Sequence, residues 1–299
     1  MIIFINKLNS HAIPDHMKKH LELQICIIAI LVFLTGGMNA QIDGFHEIRW
    51  EKEKIAPGLK WKSSHTVVND SFPQNINILY VNLNKRDIFI QYDPRKNIPA
   101  SRQAAAVNAI AAINGGFFNI KNGGSVTYIK TGGKIVDPDT AKKWSRNANM
   151  TGSVLIKGGK ELFIGKAMTN SWYDTHTEYD NVLVTGPQLI EHGGRNVLPE
   201  TSLVTGKHPR TAIGTRNKKK VILVTIDGRT SEAAGMTLYE LASLMGYLKC
   251  RDAANLDGGG STTMWIKGKP FDGVVNMPCD NKQFDHNGER AVSNILVVK

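Results

Sequence analysis

The chain has 299 residues, 41% of them hydrophobic and 21% charged, and carries a formal net charge of +11. That length and apolar share can build a buried core, which excludes a disordered or low-complexity chain. The positive charge favours anionic partners, but its Lys and Arg residues are scattered. Only Lys218-Lys219-Lys220 cluster, at an expected hairpin tip, which argues against nucleic acid as partner.

Lys18, Lys19 and His20 precede an almost wholly apolar run from Leu21 to Leu34, and Gly36, Gly37 and Ala40 follow. Basic, then apolar, then small is the layout of a secretory signal. Residues 1–40 are therefore expected to be a signal region cleaved after Ala40, with Met17 an alternative start. The apolar core from Ile25 to Leu34 is short of the roughly 20 residues a bilayer span needs. No stable membrane span is expected after cleavage, and the destination is periplasm, cell surface or medium. Cys26 falls in the signal region. Cys250 and Cys279 could pair in an oxidising compartment or stand as two buried thiols, and no metal-type Cys/His spacing occurs.

Residues 41–75 read as a lead-in without firm periodicity. From Ile76 the pattern becomes extended: Ile76, Ile78 and Tyr80 alternate, and Ile88 to Tyr92 follows after Asn84-Lys85-Arg86, as if paired in a hairpin. Ser101 to Ile110 reads as a helix with Ser101 as N-cap. A strand over 111–113 leads into Asn114-Gly115-Gly116-Phe117-Phe118-Asn119. Gly132-Gly133 and Gly158-Gly159 each stand between apolar runs and predict hairpins. Residues 166–181 look irregular, a strand over 182–185 enters Gly186-Pro187-Gln188, and 193–206 reads as a loop. Residues 211–215 and 221–226 predict a hairpin across the lysine triplet, closed by Asp227-Gly228-Arg229. The clearest helix runs from Thr237 to Lys249, with Leu238, Leu241, Ala242, Met245 and Leu248 on one stripe. Strands are expected over 253–256, 262–266 and 291–298.

The many hairpins and few helices predict an α+β fold: a mixed, largely antiparallel sheet with packed helices, residues 76–299 forming a single catalytic domain. A short strand followed by a polar residue and glycines occurs twice, at 111–116 and 253–259. The echo marks either pseudo-symmetric halves sharing one sheet or chance.

Four polar turns stand at expected strand ends: Asn114-Gly115-Gly116-Phe117-Phe118-Asn119, Gly186-Pro187-Gln188, His208-Pro209-Arg210-Thr211-Ala212, and Asn255-Leu256-Asp257-Gly258-Gly259-Gly260-Ser261-Thr262. Glycine there allows close backbone approach and frees N–H groups to face a ligand. Three glycines before Ser261 and Thr262 would suit phosphate or sugar hydroxyls. A plain tight turn is the simpler reading of that motif alone.

Taken in order across residues 105–298, these turns resemble the phosphodiester glycosidase family. Further matching stretches are Val224-Thr225-Ile226-Asp227-Gly228-Arg229 and Gly235-Met236-Thr237-Leu238-Tyr239-Glu240-Leu241-Ala242. The resemblance implies hydrolysis of a sugar-1-phosphodiester, such as an N-acetylglucosamine-1-phosphodiester, between the anomeric carbon and the phosphate oxygen. The implied partner is a phosphorylated or acidic glycan. The leaving group of such a reaction is a stable anion, so it needs charge neutralisation more than protonation. Arg210 is the first candidate for that task, with Arg229 and His208 next. The anomeric carbon develops positive character that a carboxylate stabilises or attacks. Asp257 is the leading candidate and Asp227 a second, although an Asp-Gly pair is also a common turn. Glu240 points either to the site or to solvent. Asn114, Gly115, Gly116, Ser261 and Thr262 would bind sugar or phosphate beside Gly258, Gly259 and Gly260, and Phe117 or Phe118 would stack on the sugar or pack in the core. No cofactor is firmly implied. A divalent cation stays open, because Asn114, Asp227 and Asp257 offer hard oxygen ligands. The rival readings are a glycan-binding or envelope polysaccharide assembly protein without turnover, and a metal-dependent phosphodiesterase.

Overall fold

The computed structural model of the chain describes residues 43–68, 72–93, 96–136 and 148–299. The expected signal region, with Met17 and Cys26, lies outside the described residues. In chain order the first strands are β1 (Glu51–Ala56), β2 (Leu59–Val68), β3 (Phe72–Asn82), β4 (Ile88–Tyr92) and β5 (Ile98–Pro99). Helix α1 (Ala100–Ala106) leads to β6 (Ala111–Asn114), β7 (Ile129–Thr131), β8 (Lys134–Ile135), β9 (Gly152–Lys157) and β10 (Glu161–Lys166). Helix α2 (Asn170–Thr175) precedes β11 (Asn181–Thr185), β12 (Gln188–Glu191) and β13 (Gly194–Arg195). After α3 (Ser202–Thr205) come β14 (Arg210–Asn217), β15 (Lys220–Ile226) and α4 (Leu238–Tyr247). The last strands are β16 (Asp252–Asn255), β17 (Met264–Ile266), β18 (Ala291–Val292) and β19 (Asn294–Val298).

The strands pair antiparallel into an eight-stranded sheet, β1-β2-β3-β15-β14-β16-β12-β13, a five-stranded sheet, β10-β9-β11-β7-β8, and a four-stranded sheet, β17-β6-β19-β4. One apolar core joins all three, through Leu79 and Leu223 from the first, Val154 and Leu183 from the second, and Ile113 and Leu296 from the third. The fold is α+β, largely antiparallel, as expected. No helix among the described residues is long and apolar enough to cross a membrane.

The two double-glycine hairpins form as read, β7 with β8 and β9 with β10, and so does the hairpin across the lysine triplet, β14 with β15. Two expectations change. The lead-in carries a hairpin of its own, β1 with β2, turning at Gly58 with φ of 82°. Glu51 to Lys54 is exposed on both faces, so it leaves no apolar alternation to read. Strands β3 and β4 are not a hairpin. The first pairs with β2 and β15, and the second pairs with β19 in another sheet. Periodicity reports an extended segment, while the choice of partner is made by distant strands. Segments read as irregular contain α2 and α3.

Helix ends follow local chemistry. Thr237 caps α4 through a capping box, its hydroxyl accepting from Glu240 N while Glu240 accepts from Thr237 N. Ser101 does not cap α1. Its N–H and hydroxyl both donate to the Glu289 carboxylate, at 2.7 and 2.6 Å. Cys250 and Cys279 are two separate buried thiols.

The glycine echo does not describe halves of one sheet, since β6 and β16 belong to different sheets. Their ends nevertheless meet: Asp257 N donates to Gly115 O at 3.0 Å. This contact between sheets builds the floor of the site.

Candidate active site

Strands β15, β14 and β16 lie side by side, and their ends present Asp227, Arg210 and Asp257 in turn. Above the last two opens a cavity of about 320 Å³. Asp257, Gly258, Gly259 and Gly260 form one wall, with Arg210, Arg229, Arg290, His208, Phe117 and Asn255 around it. Asp257 is the carboxylate in this lining.

Asp257 is set by backbone and buried amides. Asn114 Nδ2 donates to Asp257 O at 2.6 Å, and Gly258 N donates to its carboxylate at 3.0 Å. Leu256, just before it, is wholly buried. Truncating such a leucine to alanine costs about 2–5 kcal/mol and would loosen the turn that aims the acid. Burial pushes the Asp257 carboxyl up to about 6, while the Ser261 hydroxyl, Arg290 and the Gly258 N–H draw it back down. It is therefore mostly ionised at neutral pH and still close to its titration.

Each of the three glycines is closely approached: a side chain on Gly258 would meet the Pro209 carbonyl. Gly259 has φ of 61°, and a side chain on it would come within 3.0 Å of Arg229 Nη2. A side chain on Gly260 would collide with Arg290 and Asp280. Arg290 is held by a two-pronged pair with Asp280, which raises its pKa further. Arg229 is exposed and forms no ion pair among the described residues. Arg210 is fully buried. Its Nε donates to Met236 O at 2.7 Å, and its Nη2 donates to Leu203 O and Gly206 O at 2.8 and 2.6 Å. Burial, then the Arg229 charge, lowers Arg210 to about 10, so it stays cationic at neutral pH. His208 is lowered by burial and by Arg210 and Arg229, which keeps it neutral. Three guanidinium groups around one cavity repel one another, and an anion would relieve them.

The sequence model of the phosphodiester glycosidase family (NAGPA) matches residues 107–299, which span this whole constellation. The chain belongs to the phosphodiester glycosidase family. Over 205 residues it is 27% identical to N-acetylglucosamine-1-phosphodiester alpha-N-acetylglucosaminidase of Bos taurus, covering 62% of this chain and 37% of that one. Over 113 residues it is 34% identical to the SPbeta prophage-derived uncharacterized protein YomE of Bacillus subtilis (strain 168), covering 32% of this chain and 18% of that one. The matched regions thus span well under half the length of either relative. The catalytic domain of zebrafish N-acetylglucosamine-1-phosphodiester alpha-N-acetylglucosaminidase superposes with a TM-score of 0.64 at 19% identity, covering 84% of this chain and 88% of that one. At that identity the likeness is one of fold.

Of the residues expected at the site, Asp257, Arg210, Arg229, His208, Phe117 and Gly258 to Gly260 line the cavity. Phe118 packs in the core instead. The others stand outside the lining. Asp227 accepts from Asn75 Nδ2, Asn276 Nδ2 and Met277 N, all within 2.8 Å, and burial pushes it up to about 7. Glu240 closes the α4 capping box and pairs with Lys207 at 2.5 Å. Asn114 accepts from Thr211 Oγ1 and Thr263 N, and Gly115 and Gly116 pack on Asn294. Ser261 and Thr262 are buried below the turn. Asn114 and Asp227 thus commit their side-chain oxygens to protein donors. Among the described residues no group of three or more His, Cys, Asp or Glu gathers as for a metal ion.

Sequence reasoning missed Arg290, and it quoted Asn255 at the head of the Asp257 turn without giving it a role. Arg290 arrives on a long loop with no motif to mark it. Asn255 is fixed by donating Nδ2 to Gly186 O at 2.9 Å, while its buried Oδ1 has no partner. An unpaired buried acceptor beside a cavity suits a ligand hydroxyl. The Gly186-Pro187 turn therefore supports Asn255 and does not itself line the cavity.

Proposed function

We propose that this chain is an exported glycosidase that hydrolyses a sugar-1-phosphodiester, N-acetylglucosamine-1-phosphodiester or similar, to free sugar and phosphomonoester. One observation carries the reading: a single ionisable carboxylate, Asp257, shares its cavity with Arg210, Arg229 and Arg290. The guanidinium groups would take the diester phosphate and neutralise the second charge that appears when the phosphomonoester leaves. Such a leaving group departs without a proton, so one carboxylate is sufficient. Asp257 would stabilise the positive charge growing at the anomeric carbon. His208, held neutral, would accept the proton of the attacking water. Phe117 would face the sugar, and Asn255 Oδ1 would accept from one of its hydroxyls. Asp227 is assigned a structural role. Its partner Asn276 also donates to Thr262 O and accepts from Met264 N, which ties the acid to the glycine turn.

Export is supported by the basic-apolar-small order of residues 18–40. The activity is tested with N-acetylglucosamine-1-phospho-6-methylmannoside as substrate, with and without a chelator. Free N-acetylglucosamine in both conditions is expected. No release in either would support the glycan-binding rival, and release abolished by chelator and restored by metal would support a metal-dependent phosphodiesterase.

A further inference from the structure

A second concavity, larger than the cavity at Asp257, lies away from it. A groove of about 540 Å³ opens over β1, β2, β3 and the turn end of the β14–β15 hairpin. Lys54, Lys60, Lys62, Lys85, Arg216 and Lys220 line it, and no carboxylate does. Among the described residues none of the six forms an ion pair. The neighbouring lysines of the hairpin tip behave differently, since Lys218 and Lys219 both pair with Glu161.

The strand register makes the concentration of charge deliberate in position. Lys54 stands directly opposite Lys60 across the β1–β2 ladder, and Lys52 stands opposite Lys62. Facing like charges destabilise a ladder, and among the described residues no carboxylate pairs with any of these four lysines. Burial, then Lys52, Arg216 and Lys60, pulls the Lys62 ammonium below its ordinary pKa. A fold that holds uncompensated cations in a concave surface is complementary to a polyanion.

The lining also speaks to which polyanion. Its aromatic ring, Tyr80, is already occupied: Lys62 Nζ lies 5.2 Å and the Arg216 guanidinium 5.6 Å from its centroid. Recognition of single-stranded nucleic acid relies on free rings for base stacking, and this ring is covered. What the groove offers is charge alone, which suits phosphates spaced along a flexible saccharide chain. Arg216 lies six residues along β14 from Arg210, about 20 Å at the rise of a strand. Several units of a polymer would span that distance.

We propose that this groove anchors an anionic, phosphodiester-linked glycan polymer, holding the chain several units away from the bond hydrolysed at Asp257. The proposal rests on the glycosidase reading for its link to turnover, while binding itself does not depend on it. Anchoring raises the local concentration of cleavable linkages without any new contact at the site, and it weakens as salt rises.

The test uses the full mature chain and a triple variant, Lys54→Gln with Lys60→Gln and Lys62→Gln. The probe is an end-labelled polymer of N-acetylglucosamine units joined by phosphodiesters, followed by fluorescence anisotropy across salt concentrations. A thymidine oligonucleotide of equal phosphate number is the comparator. The variant is expected to bind the polymer at least tenfold more weakly, with a slope against log salt lower by about two to three, as for loss of three cationic contacts. Its melting temperature should be unchanged or higher, because two repulsive cross-strand pairs are gone. Turnover of the single-linkage substrate should be unchanged. Equal polymer affinity in the two proteins, or tighter binding of the oligonucleotide by the wild type, overturns the proposal. Failure of the wild type to hydrolyse the single-linkage substrate would count against the glycosidase reading and leave the binding comparison decisive for the groove.

Discussion

Asp227 and Asp257 follow strands that flank β14 on either side, and each precedes a glycine. Their surroundings separate them. Three N–H donors from β3 and the Asn276-Met277 segment occupy both oxygens of Asp227. Asp257 receives one backbone N–H, has the Ser261 hydroxyl beside it, and otherwise faces a cavity ringed by arginines. An Asp-Gly turn therefore says only where an acid can stand. Whether it can meet a substrate is decided by the distant segments that do, or do not, supply it with donors.

The largest effect that would sharpen this contrast is Asp257→Asn. Turnover should fall by at least roughly 10³-fold, as when a transition-state charge partner is removed. The melting temperature should hold or rise, since a neutral amide is easier to bury than a carboxylate. Near-normal turnover would break the contrast.

Asp227→Asn should do the opposite. Wherever the new amide nitrogen sits, it opposes an N–H donor, and Asn276 cannot turn round without losing Met264 N and Thr262 O. A loss of about 2–3 kcal/mol is expected for such an unsatisfied buried group, read by chemical denaturation. The rate per folded molecule should stay within roughly threefold of wild type, well short of the loss expected when a catalytic charge partner goes.

Arg229→Ala should lower kcat/KM roughly 10²-fold, the usual cost of one lost charged donor, without changing stability. Arg210 differs: truncation would strand the carbonyls of Met236, Leu203 and Gly206. Arg210→Ala should therefore lose stability along with activity, and a clean activity loss in a stable protein would contradict its buried placement.

The smallest effect is in pH dependence. Activity should rise with pH through about 6 as Asp257 ionises. Stability should move the other way. The folded state keeps the Asp257 proton to about 6, while the unfolded chain releases it near the ordinary value of about 4. The folded form binds more protons in that window, so this contribution is present at low pH and is lost as pH rises to about 6. In Asp257→Asn that part of the slope should vanish in melting curves between pH 4 and about 6.

Much of this architecture is written locally. Gly132-Gly133 and Gly158-Gly159 specify their hairpins because tight turns need positive φ. The α4 stripe and its Thr237 cap lie within one helix. The Asp257 turn, Arg210, Arg229 and His208 were readable as strand-end chemistry. Elements that depend on partners far along the chain were not. Strand β1 is charged on both faces, and β3 and β4 find separate sheets. Arg290 reaches the cavity from a loop, and Asn276 sorts Asp227 from Asp257 across 49 residues. The basic groove is the same lesson in charge. Residues 52–62, 85, 216 and 220 look scattered in sequence, and only the strand register gathers them.

The most direct test of the central claim is where water enters. Hydrolysis of N-acetylglucosamine-1-phospho-6-methylmannoside in oxygen-18 water, followed by mass spectrometry of both products, locates the broken bond. Attack at the anomeric carbon beside Asp257 predicts the label in the released N-acetylglucosamine and none in the phosphomonoester. Label in the phosphate would contradict it, because the arginines would then surround the atom under attack and not the leaving group.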